Sequence, residues 1–430
     1  MPGSPAEDLL RELAPRVLGG LLRRYPTQFE LCEDAVQDAL LAAATGWATD
    51  GVPENPYGWL AAVAGRRMID AIRAESARRR REAGLALATP ASELVAAAAD
   101  AARPADRDDS LRLLFLCCHP ALSASSQVAL TLRAVGGLTT AQVAAAFLVP
   151  EATMAQRISR AKQTVRAAGA RFRLPAGRDE YDVRLRAVLH VLYLIFNEGY
   201  TASSGERLTA PWLSDEAIRL TRWLSGVLAA DDPAHAEVLG LLALMLLTDA
   251  RRPTRADPDG RLVPLAEQDR SRWDRELVAE GLALVDRALS AGPVGAYQVQ
   301  AAIAAVHAEA PDTDATDWPQ ILGLYDVLAR IAPNPMAALN RAVVLSQVRG
   351  PAVALAALDE LAAGDRRMAG HHRLLAVRAH LREQAGDRAG AGTDFRAAAE
   401  RTDSEPERRY LLAKAAGLAP GPEGDTSRGS

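Results

Sequence analysis

Lysine is nearly absent from this chain of 430 residues, in which Lys162 and Lys414 are the two lysines among 50 basic residues. Alanine is abundant beside arginine, which is typical of GC-rich coding, so the number of arginines alone says little about function. Cysteine is scarce too, with Cys32, Cys117 and Cys118 in the whole sequence. Three cysteines at this spacing exclude a disulfide framework and fit a reducing compartment.

Long hydrophobic runs are also lacking. The longest apolar run, Val238–Leu247, is about half the length that spans a bilayer. The chain opens without a signal peptide. We therefore expect a cytoplasmic protein without a membrane partner. Alternating β-branched runs are missing as well, whereas apolar residues recur every three or four positions, so the sequence predicts an all-α fold.

Composition and charge divide the chain into segments. Residues 83–107 are rich in alanine and contain two prolines, which indicates a linker between helical blocks at 1–82 and 108–175. A second break falls at residues 175–178 and is followed by helical segments over 179–419, while residues 420–430 have the composition of a disordered tail. Residues 1–178 carry 22 basic and 18 acidic side chains, whereas the remainder carries 28 and 36. Any contact with nucleic acid is therefore expected in the first 178 residues.

The first block contains an amphipathic helix at 31–47. Val36, Leu40, Ala43 and Trp47 share its apolar stripe. A second stripe carries Asp34, Gln37, Asp38 and Leu41. An exposed leucine among acids is compatible with a surface for a partner, but an ordinary solvated face explains the acids alone, and the spacing by itself favours the solvated face.

An aromatic loop and a basic helix follow. The loop spans residues 53–59 and includes Tyr57 and Trp59. From Arg66 to Glu82 the chain has seven arginines and three acids. Arginine neutralises phosphate and aromatic rings stack on unpaired bases, so the pair of features is typical of a site for single-stranded nucleic acid. A core tryptophan beside a solvated helix end is the alternative.

The second block has the pattern of a helix-turn-helix. Thr139 and Gln142 have capping-box spacing, a short helix extends to about Phe147, and Pro150 is placed at the first position of the next helix. In that second helix Met154, Ile158, Ala161 and Val165 form the stripe expected to be buried. The opposite face carries Thr153, Gln156, Arg157, Arg160 and Thr164. Glutamine and arginine make paired hydrogen bonds to adenine and guanine edges, so this helix is predicted to read a major groove.

The two blocks together resemble the bacterial sigma factors of the extracytoplasmic-function (ECF) group in the sigma-70 superfamily. The segment EDAVQDALLAAATGW is similar to region 2.2 of that family, which docks on RNA polymerase. NPYGWLAAVAGRRMIDAIR is similar to regions 2.3 and 2.4, which capture the −10 element, and LTTAQVAAAFLVPEATMAQRISRAKQTVR is similar to region 4.2, which reads the −35 element. Four further segments in residues 111–282 resemble the subgroup that carries a long tetratricopeptide-like extension.

The resemblance implies a role for individual residues. The residues implied to contact the clamp of the β′ subunit of core polymerase are Asp34, Gln37, Asp38 and Leu41. Those implied to contact the −10 element are Asn55, Tyr57, Arg66 and Arg67. Those implied to contact the −35 element are Thr153, Gln156, Arg157 and Arg160, with Lys162 and Arg166 as phosphate contacts. The resemblance further implies that the extension modulates the sigma factor. The opposite net charges of residues 1–178 and 179–430 suggest an intramolecular contact between the sigma domains and the extension.

The last third of the chain shows helix pairs at a spacing of about 36 residues. The pairs are 296–307 with 319–331, 335–348 with 351–361, and 372–384 with 388–401. Gly350 and Gly386 mark equivalent turns. This period is typical of tetratricopeptide-like stacking, and a plain helical bundle is the alternative.

No enzymatic signature emerges, and we expect neither catalysis nor a cofactor or metal. Cys117, Cys118 and His119 are adjacent, but the sequence offers no second ligand pair at zinc spacing, so buried thiols are the simpler interpretation. The charged residues at 249–252 and 269–274 are predicted to form ion pairs that brace two helices. Asn197-Glu198-Gly199-Tyr200 is interpreted as a helix end capped by Gly199.

The sequence thus predicts a sigma factor that binds core polymerase and initiates transcription at specific promoters. Two alternatives remain open. A helix-turn-helix regulator could act on DNA without docking on polymerase, with the repeats sensing a ligand or peptide. The other alternative is a protein scaffold in which the helix-turn-helix is incidental to the function.

Overall fold

A computed structural model describes residues 5–83, 107–147, 149–169, 172–173, 175, 177–201 and 208–418. The predicted linker at 83–107 and the predicted tail at 420–430 therefore lie almost wholly outside the described residues. Helices make up most of the described ranges, which contain an isolated antiparallel bridge between Ala256 and Leu262 and no sheet. This confirms the all-α prediction. No helix within these ranges combines the length and the apolar character that crossing a membrane requires.

The chain divides into two compact units, Met1–Leu194 and Ile195–Ser430, with the division inside one long helix. The helices of the first unit, with the last one continuing into the second, are α1 (Pro5–Arg24), α2 (Phe29–Asp50), α3 (Pro56–Ala83), α4 (Arg107–Cys117), α5 (Ala124–Ala134), α6 (Thr140–Ala146), α7 (Glu151–Ala167) and α8 (Arg178–Tyr200). Helices α1 to α3 pack together, and α4 to α7 form a second group that lies against α1 and α2.

The second unit continues as consecutive helices, most of which pack against their neighbours in sequence. They are α9 (Pro211–Val227), α10 (His235–Asp249), α11 (Arg275–Leu289), α12 (Ala296–Glu309), α13 (Trp318–Ile331), α14 (Pro335–Arg349), α15 (Pro351–Gly364), α16 (Arg366–Ala369), α17 (His372–Gln384), α18 (Arg388–Ala399) and α19 (Glu405–Gly417). Three short 3₁₀ turns, Arg252–Thr254, Leu265–Glu267 and Arg270–Arg272, occupy the loop between α10 and α11.

The helix pairs predicted for the last third are present with nearly the predicted bounds. α14 and α15 are joined at Gly350, which has a φ of 85°, and α17 and α18 are separated by a turn at Gly386, with a φ of 87°. Both angles lie in the left-handed region that only glycine adopts without strain. A continuous apolar cluster extends from α12 to α17 and a second one from α17 to α19.

Gly199 does not cap a helix as the sequence suggested. α8 continues to Tyr200, and Gly199 lies where α9 comes closest to it. A Cβ atom at this position would lie 2.3 Å from the backbone nitrogen of Ser214 and 2.8 Å from Cβ of Leu213. The glycine is therefore needed for close packing of the two helices.

Candidate nucleic-acid interface

One face of α2 is buried and another is exposed, as its periodicity predicts. Val36, Ala43 and Trp47 are buried and Leu40 is half-buried. On the other face, the side chains of Asp34 and Asp38 are 64% and 56% exposed and Leu41 is 67% exposed. Gln37 is half-buried between them. A large apolar side chain flanked by carboxylates is thus open to a partner.

The aromatic segment after α2 belongs to a helix and not to a loop. α3 begins at Pro56, so Tyr57 and Trp59 lie in its first turn. Trp59 packs edge to face on Trp47 with ring centroids 5.6 Å apart, which fixes the start of α3 against the end of α2. Trp59 is half-buried in this contact with the buried Trp47, so it has a structural role, in agreement with the alternative interpretation of this segment.

Tyr57 is half-buried against α1. The guanidinium of Arg16 lies 5.5 Å from the centroid of its ring. Burial raises the pKa of the Tyr57 hydroxyl, and the nearby carboxylate of Asp109 raises it further. The positive charges of Arg23 and Arg16 act in the opposite direction. The ring is thus surrounded by charged groups from α1 and α4, which leaves less of it open to a base than the sequence implied.

The other predicted −10 residues lie on the surface of α3. Asn55 is exposed and its Oδ1 accepts a hydrogen bond of 2.9 Å from the backbone N–H of Gly58, so it caps the helix. Arg66 and Arg67 are exposed about three turns further along. Nε of Arg67 lies 3.8 Å from Oδ2 of Asp38 on α2. This ion pair places a predicted DNA contact beside the exposed face of α2.

The helix-turn-helix has the predicted cap. The backbone N–H of Thr139 donates to Oε1 of Gln142 at 2.8 Å, and the backbone N–H of Gln142 donates to Oγ1 of Thr139 at 3.1 Å. This reciprocal pair starts α6. Pro150 is the N-cap of α7 and not its first helical residue, because its carbonyl accepts from Thr153 and Met154 while its own φ and ψ remain extended.

α7 separates its apolar and polar residues as predicted. Met154, Ile158, Ala161 and Val165 are each at most 4% exposed. Thr153, Gln156, Arg160, Thr164 and Arg166 are exposed, and Arg157 is half-buried. The predicted reading face therefore projects away from the domain as one continuous polar surface.

Lys162 is the exception among the residues predicted to contact DNA. At 100° per residue it lies about 180° around the helix from Thr153, on the side opposite the reading face. It is 8% exposed, and its Nζ lies 2.5 Å from Oε2 of Glu33 on α2 and 3.5 Å from Oδ1 of Asp34. In this conformation Lys162 is therefore not available to a phosphate group.

Glu33 and Arg133 were not predicted to have any role. Glu33 is 1% exposed, and Nε of Arg133 on α5 lies 2.9 Å from its Oε1, so two cations face one buried carboxylate. A signal was present in the sequence. Glu33 is one turn before Val36 and one turn after Phe29, both in the apolar stripe, and a charge at such a position needs a buried partner.

The predicted charged cluster in the second unit forms with different pairs. Arg252 contacts the carboxylate of Asp249 at 2.6 Å and that of Asp215 on α9 at 2.5 Å. Asp269 and Asp274 instead cap the helices that follow them. The cluster joins α9 to α10. The predicted role of bracing two helices is therefore present, but the ion pairs differ from the predicted ones.

Two further arginines, Arg255 and Arg270, make the other hydrogen bonds described for this network. The guanidinium of Arg255 stacks on Tyr200 at 3.6 Å and donates to the Tyr200 carbonyl and to Oγ1 of Thr201. Arg270 donates to the carbonyls of His307 and Ala310. Because these guanidinium groups donate to backbone carbonyl and threonine hydroxyl groups of the same unit, a structural role accounts for Arg255 and Arg270.

The three cysteines are buried and unpaired. Burial raises the pKa of the Cys32 and Cys118 thiols to about 12 and that of Cys117 well above its usual value. The prediction of core thiols is confirmed. Within the described ranges no group of three His, Cys, Asp or Glu side chains is arranged to hold a metal ion.

Comparison with protein families and curated proteins agrees with this geometry. Residues 9–78 match the model for sigma-70 region 2 and residues 112–165 match the model for sigma-70, region 4. Residues 184–289 match a family of unknown function, DUF6596. An uncharacterized protein of Rhizobium meliloti (strain 1021) is 41% identical over 401 residues, which cover 92% of each chain. No solved structure matches.

The two sigma matches contain the exposed face of α2, the basic surface of α3 and the helix-turn-helix in the order that the sequence predicted. Such domains bind core RNA polymerase and promoter DNA. The chain belongs to the sigma-70 family of sigma factors and carries a C-terminal helical extension.

Proposed function

We propose that this chain is an ECF-type sigma factor that recruits core RNA polymerase to promoters with specific −10 and −35 elements. It acts through binding energy alone. The exposure of Leu41 on α2 carries this proposal, because a regulator that never docks on polymerase has no need of it. A 67% exposed leucine beside two exposed carboxylates, inside the region 2 match, is the kind of surface that a protein partner covers.

The partner surface is proposed to be the clamp of the β′ subunit. Leu41 supplies the apolar contact of this docking face, and Asp34 and Asp38 supply charges that steer a basic partner. Gln37 lies between them and supplies a hydrogen bond. These four residues are named below as the docking face.

The −35 element is proposed to be read by α7. Gln156 and Arg160 are exposed, and Arg157 reaches the same face from a half-buried position. Paired hydrogen bonds from glutamine to adenine and from arginine to guanine would specify the sequence, and Thr153 adds a hydroxyl. Arg166, one turn beyond, is proposed to contact a phosphate group.

The −10 element is proposed to lie along α3. Arg66 and Arg67 supply positive charge, and the amide of Asn55 keeps donors free beside its capping oxygen. Tyr57 contributes only to the extent that a DNA base can reach its half-buried ring. The support for this part is the region 2 match together with the exposure of the arginines.

The extension is proposed to regulate the sigma domains. Consecutive helix pairs with turns at Gly350 and Gly386 support a tetratricopeptide-like array, a form that binds peptides or other domains on its concave face. The opposite charge balance of residues 1–178 and 179–430 supports an intramolecular target. Transcription by a fragment ending at Thr201, after α8, compared with the full chain at low salt, measures the sign of this regulation.

The docking face is tested with Leu41→Arg in the full-length protein. We expect at least a tenfold loss of affinity for core polymerase, measured by fluorescence anisotropy, because a charge replaces the apolar contact. Val183→Arg, at an apolar residue of α8 that is 52% exposed, is the matched control and should bind like the unmodified protein. Equal binding of both variants contradicts the docking face.

A further inference from the structure

Three arginines in the loop between α10 and α11 have no carboxylate partner. No acid among the described residues forms a salt bridge with Arg251, Arg255 or Arg270, whereas Arg252 in the same loop has two such partners. The loop therefore separates one arginine whose charge is compensated from three whose charge is not.

Two of the three unpaired arginines are buried. Arg255 is 8% exposed and Arg270 is 5% exposed. Their guanidinium groups donate to backbone carbonyl groups and threonine hydroxyl groups, which are neutral acceptors. These hydrogen bonds satisfy the N–H groups but leave the positive charge in place, and a buried charge without a counter-charge is costly.

Arg251 lies close to both buried cations. Its Cζ atom is 5.7 Å from the centroid of the Trp273 ring, and Cζ of Arg270 is 5.3 Å from the same centroid. Burial lowers the pKa of Arg255 and of Arg270, and the charge of Arg251 also lowers the pKa of each. The charge of Arg251 thus adds to the two that are buried.

His307 on α12 is a fourth basic group at this place. Its carbonyl accepts a hydrogen bond of 2.7 Å from Arg270, and burial together with Arg251 and Arg270 lowers the pKa of its imidazole to about 4. Its Nδ1 atom is buried and has no hydrogen-bond partner in the part of the chain that the structure describes. We name Arg251, Arg255, Arg270 and His307 the cationic cluster.

The nearest acids do not cancel the charge of this cluster. Asp249 acts on Arg255 and Asp312 acts on Arg270, both from beyond salt-bridge distance. The carboxylate of Asp249 is already paired with Arg252 at 2.6 Å. A net positive charge therefore remains in a partly buried region.

Arg251 keeps donors for a ligand. Its Nε donates to Oε1 of Gln268 at 3.3 Å, but its two terminal nitrogens have no acceptor among the described residues. Such nitrogens form paired, parallel hydrogen bonds with two oxygens of one anion. Arg251 is half-buried, so a solute can reach these donors, whereas the other two arginines lie behind it in the interior.

Charge and access together favour the phosphate group of a small monoester. Such a group carries about two negative charges at neutral pH and three acceptor oxygens, which suits several cations better than a single carboxylate does. A phosphodiester in a nucleic-acid backbone carries one charge. Its chain continues on both sides of the phosphate group, so it approaches half-buried donors poorly.

We propose that the cationic cluster binds the phosphate group of a small phosphate monoester, with Arg251 as the residue that contacts its oxygens. Arg255 and Arg270 attract the anion through their charge while they keep their own hydrogen bonds. All members of the cluster belong to the second unit, so this inference goes beyond the proposed function and does not depend on it. It gives the extension a small-molecule ligand of its own.

The first test is calorimetric titration of the full-length protein at low salt, with inorganic phosphate and with glycerol phosphate. We expect saturable binding at one site, and Arg251→Gln should weaken it at least tenfold. Arg261→Gln removes the same charge from the same loop at a side chain that is 71% exposed, and it should bind like the unmodified protein. No saturable binding up to about 10 mM, or equal losses in the two variants, overturns the proposal.

The second test distinguishes a monoester from a nucleic-acid backbone. Dimethyl phosphate, a diester with one charge, should bind at least tenfold more weakly than glycerol phosphate. Equal affinity for the two probes overturns the assignment to a monoester and indicates a phosphodiester ligand.

A further variant separates contact with the ligand from misfolding. Arg251→Lys keeps the positive charge but lacks the paired donors, so its affinity for phosphate should lie between those of the unmodified protein and Arg251→Gln, with unchanged helical circular dichroism. Phosphate should also raise the midpoint of thermal unfolding of the unmodified protein and of Arg261→Gln, but not that of Arg251→Gln. Full affinity in Arg251→Lys overturns the paired contact assigned to Arg251.

Discussion

Nζ of Lys162 on α7, the second helix of the helix-turn-helix, lies 2.5 Å from Oε2 of Glu33 on α2. Both groups are almost fully buried. The pair shows that the back of the helix-turn-helix is an intramolecular surface, while its front remains exposed. α7 thus packs against α2 with one side and exposes its polar residues on the opposite side.

Replacing Arg157 with alanine tests the reading face. We expect binding to a −35 duplex to weaken by about 1–3 kcal/mol and discrimination at the contacted base pair to relax, because a base-edge contact is lost. Arg186→Ala, on α8, serves as the control for a general loss of positive charge. An Arg157→Ala footprint identical to that of the unmodified protein excludes this residue from base recognition.

The buried pair of Asp249 and Arg252 is expected to stabilise the second unit. Arg252→Ala leaves Asp249, which is 5% exposed, without its cation and should lower the free energy of unfolding by about 3–5 kcal/mol. Asp215→Ala removes the other partner of the same guanidinium, but this carboxylate is 61% exposed, so the loss should stay below about 1 kcal/mol. Urea unfolding measures both. Equal losses would contradict the assignment.

Acid is expected to destabilise the second unit through His307. Burial, with Arg251 and Arg270 nearby, lowers its pKa to about 4 in the folded chain, while the unfolded chain keeps a value near 6.5. The unfolded state therefore binds more protons between these values, and stability falls as the pH drops from about 6.5 to about 4.

Substitution of His307 should reduce this dependence on pH. The full effect is at most about 3 kcal/mol, and His307→Gln should flatten the profile of unfolding free energy between pH 7 and pH 5. His190→Gln, at an exposed histidine of α8, should leave the profile unchanged. A profile that remains as steep in His307→Gln means that other groups cause the acid sensitivity.

The native cysteines are expected to be inert. Their burial and raised pKa values keep them as thiols at neutral pH, and the thiolate is the reactive form. A disulfide reagent should modify almost none of the three in the folded protein and all three in guanidinium. Rapid labelling of the folded protein would show that the first unit opens far more than its packing indicates.

Local features of this fold were predictable from the sequence. The capping box at Thr139 and Gln142 and the turns at Gly350 and Gly386 depend on residues close together in the chain. The buried stripe of α7 follows from its helical period. Such features need no knowledge of which helices meet.

Contacts between distant segments were not predictable. The resemblance to region 4.2 implies that Lys162 contacts DNA, and only the packing of α7 on α2 reveals Glu33 as its partner. The same holds for Arg252, which pairs with Asp215 across 37 positions and not with the acids that follow Gln268. Position around a helix gives the direction of a side chain, but tertiary packing decides what it meets.

Transcription from a library of genomic promoters, with purified core polymerase and the full-length protein, tests the central claim most directly. A sigma factor should give transcripts from a defined set of promoters that share −10 and −35 elements, and Leu41→Arg should abolish them. Sequence-specific binding to duplex DNA without any transcripts would contradict the account and indicate a helix-turn-helix regulator that acts without docking on polymerase.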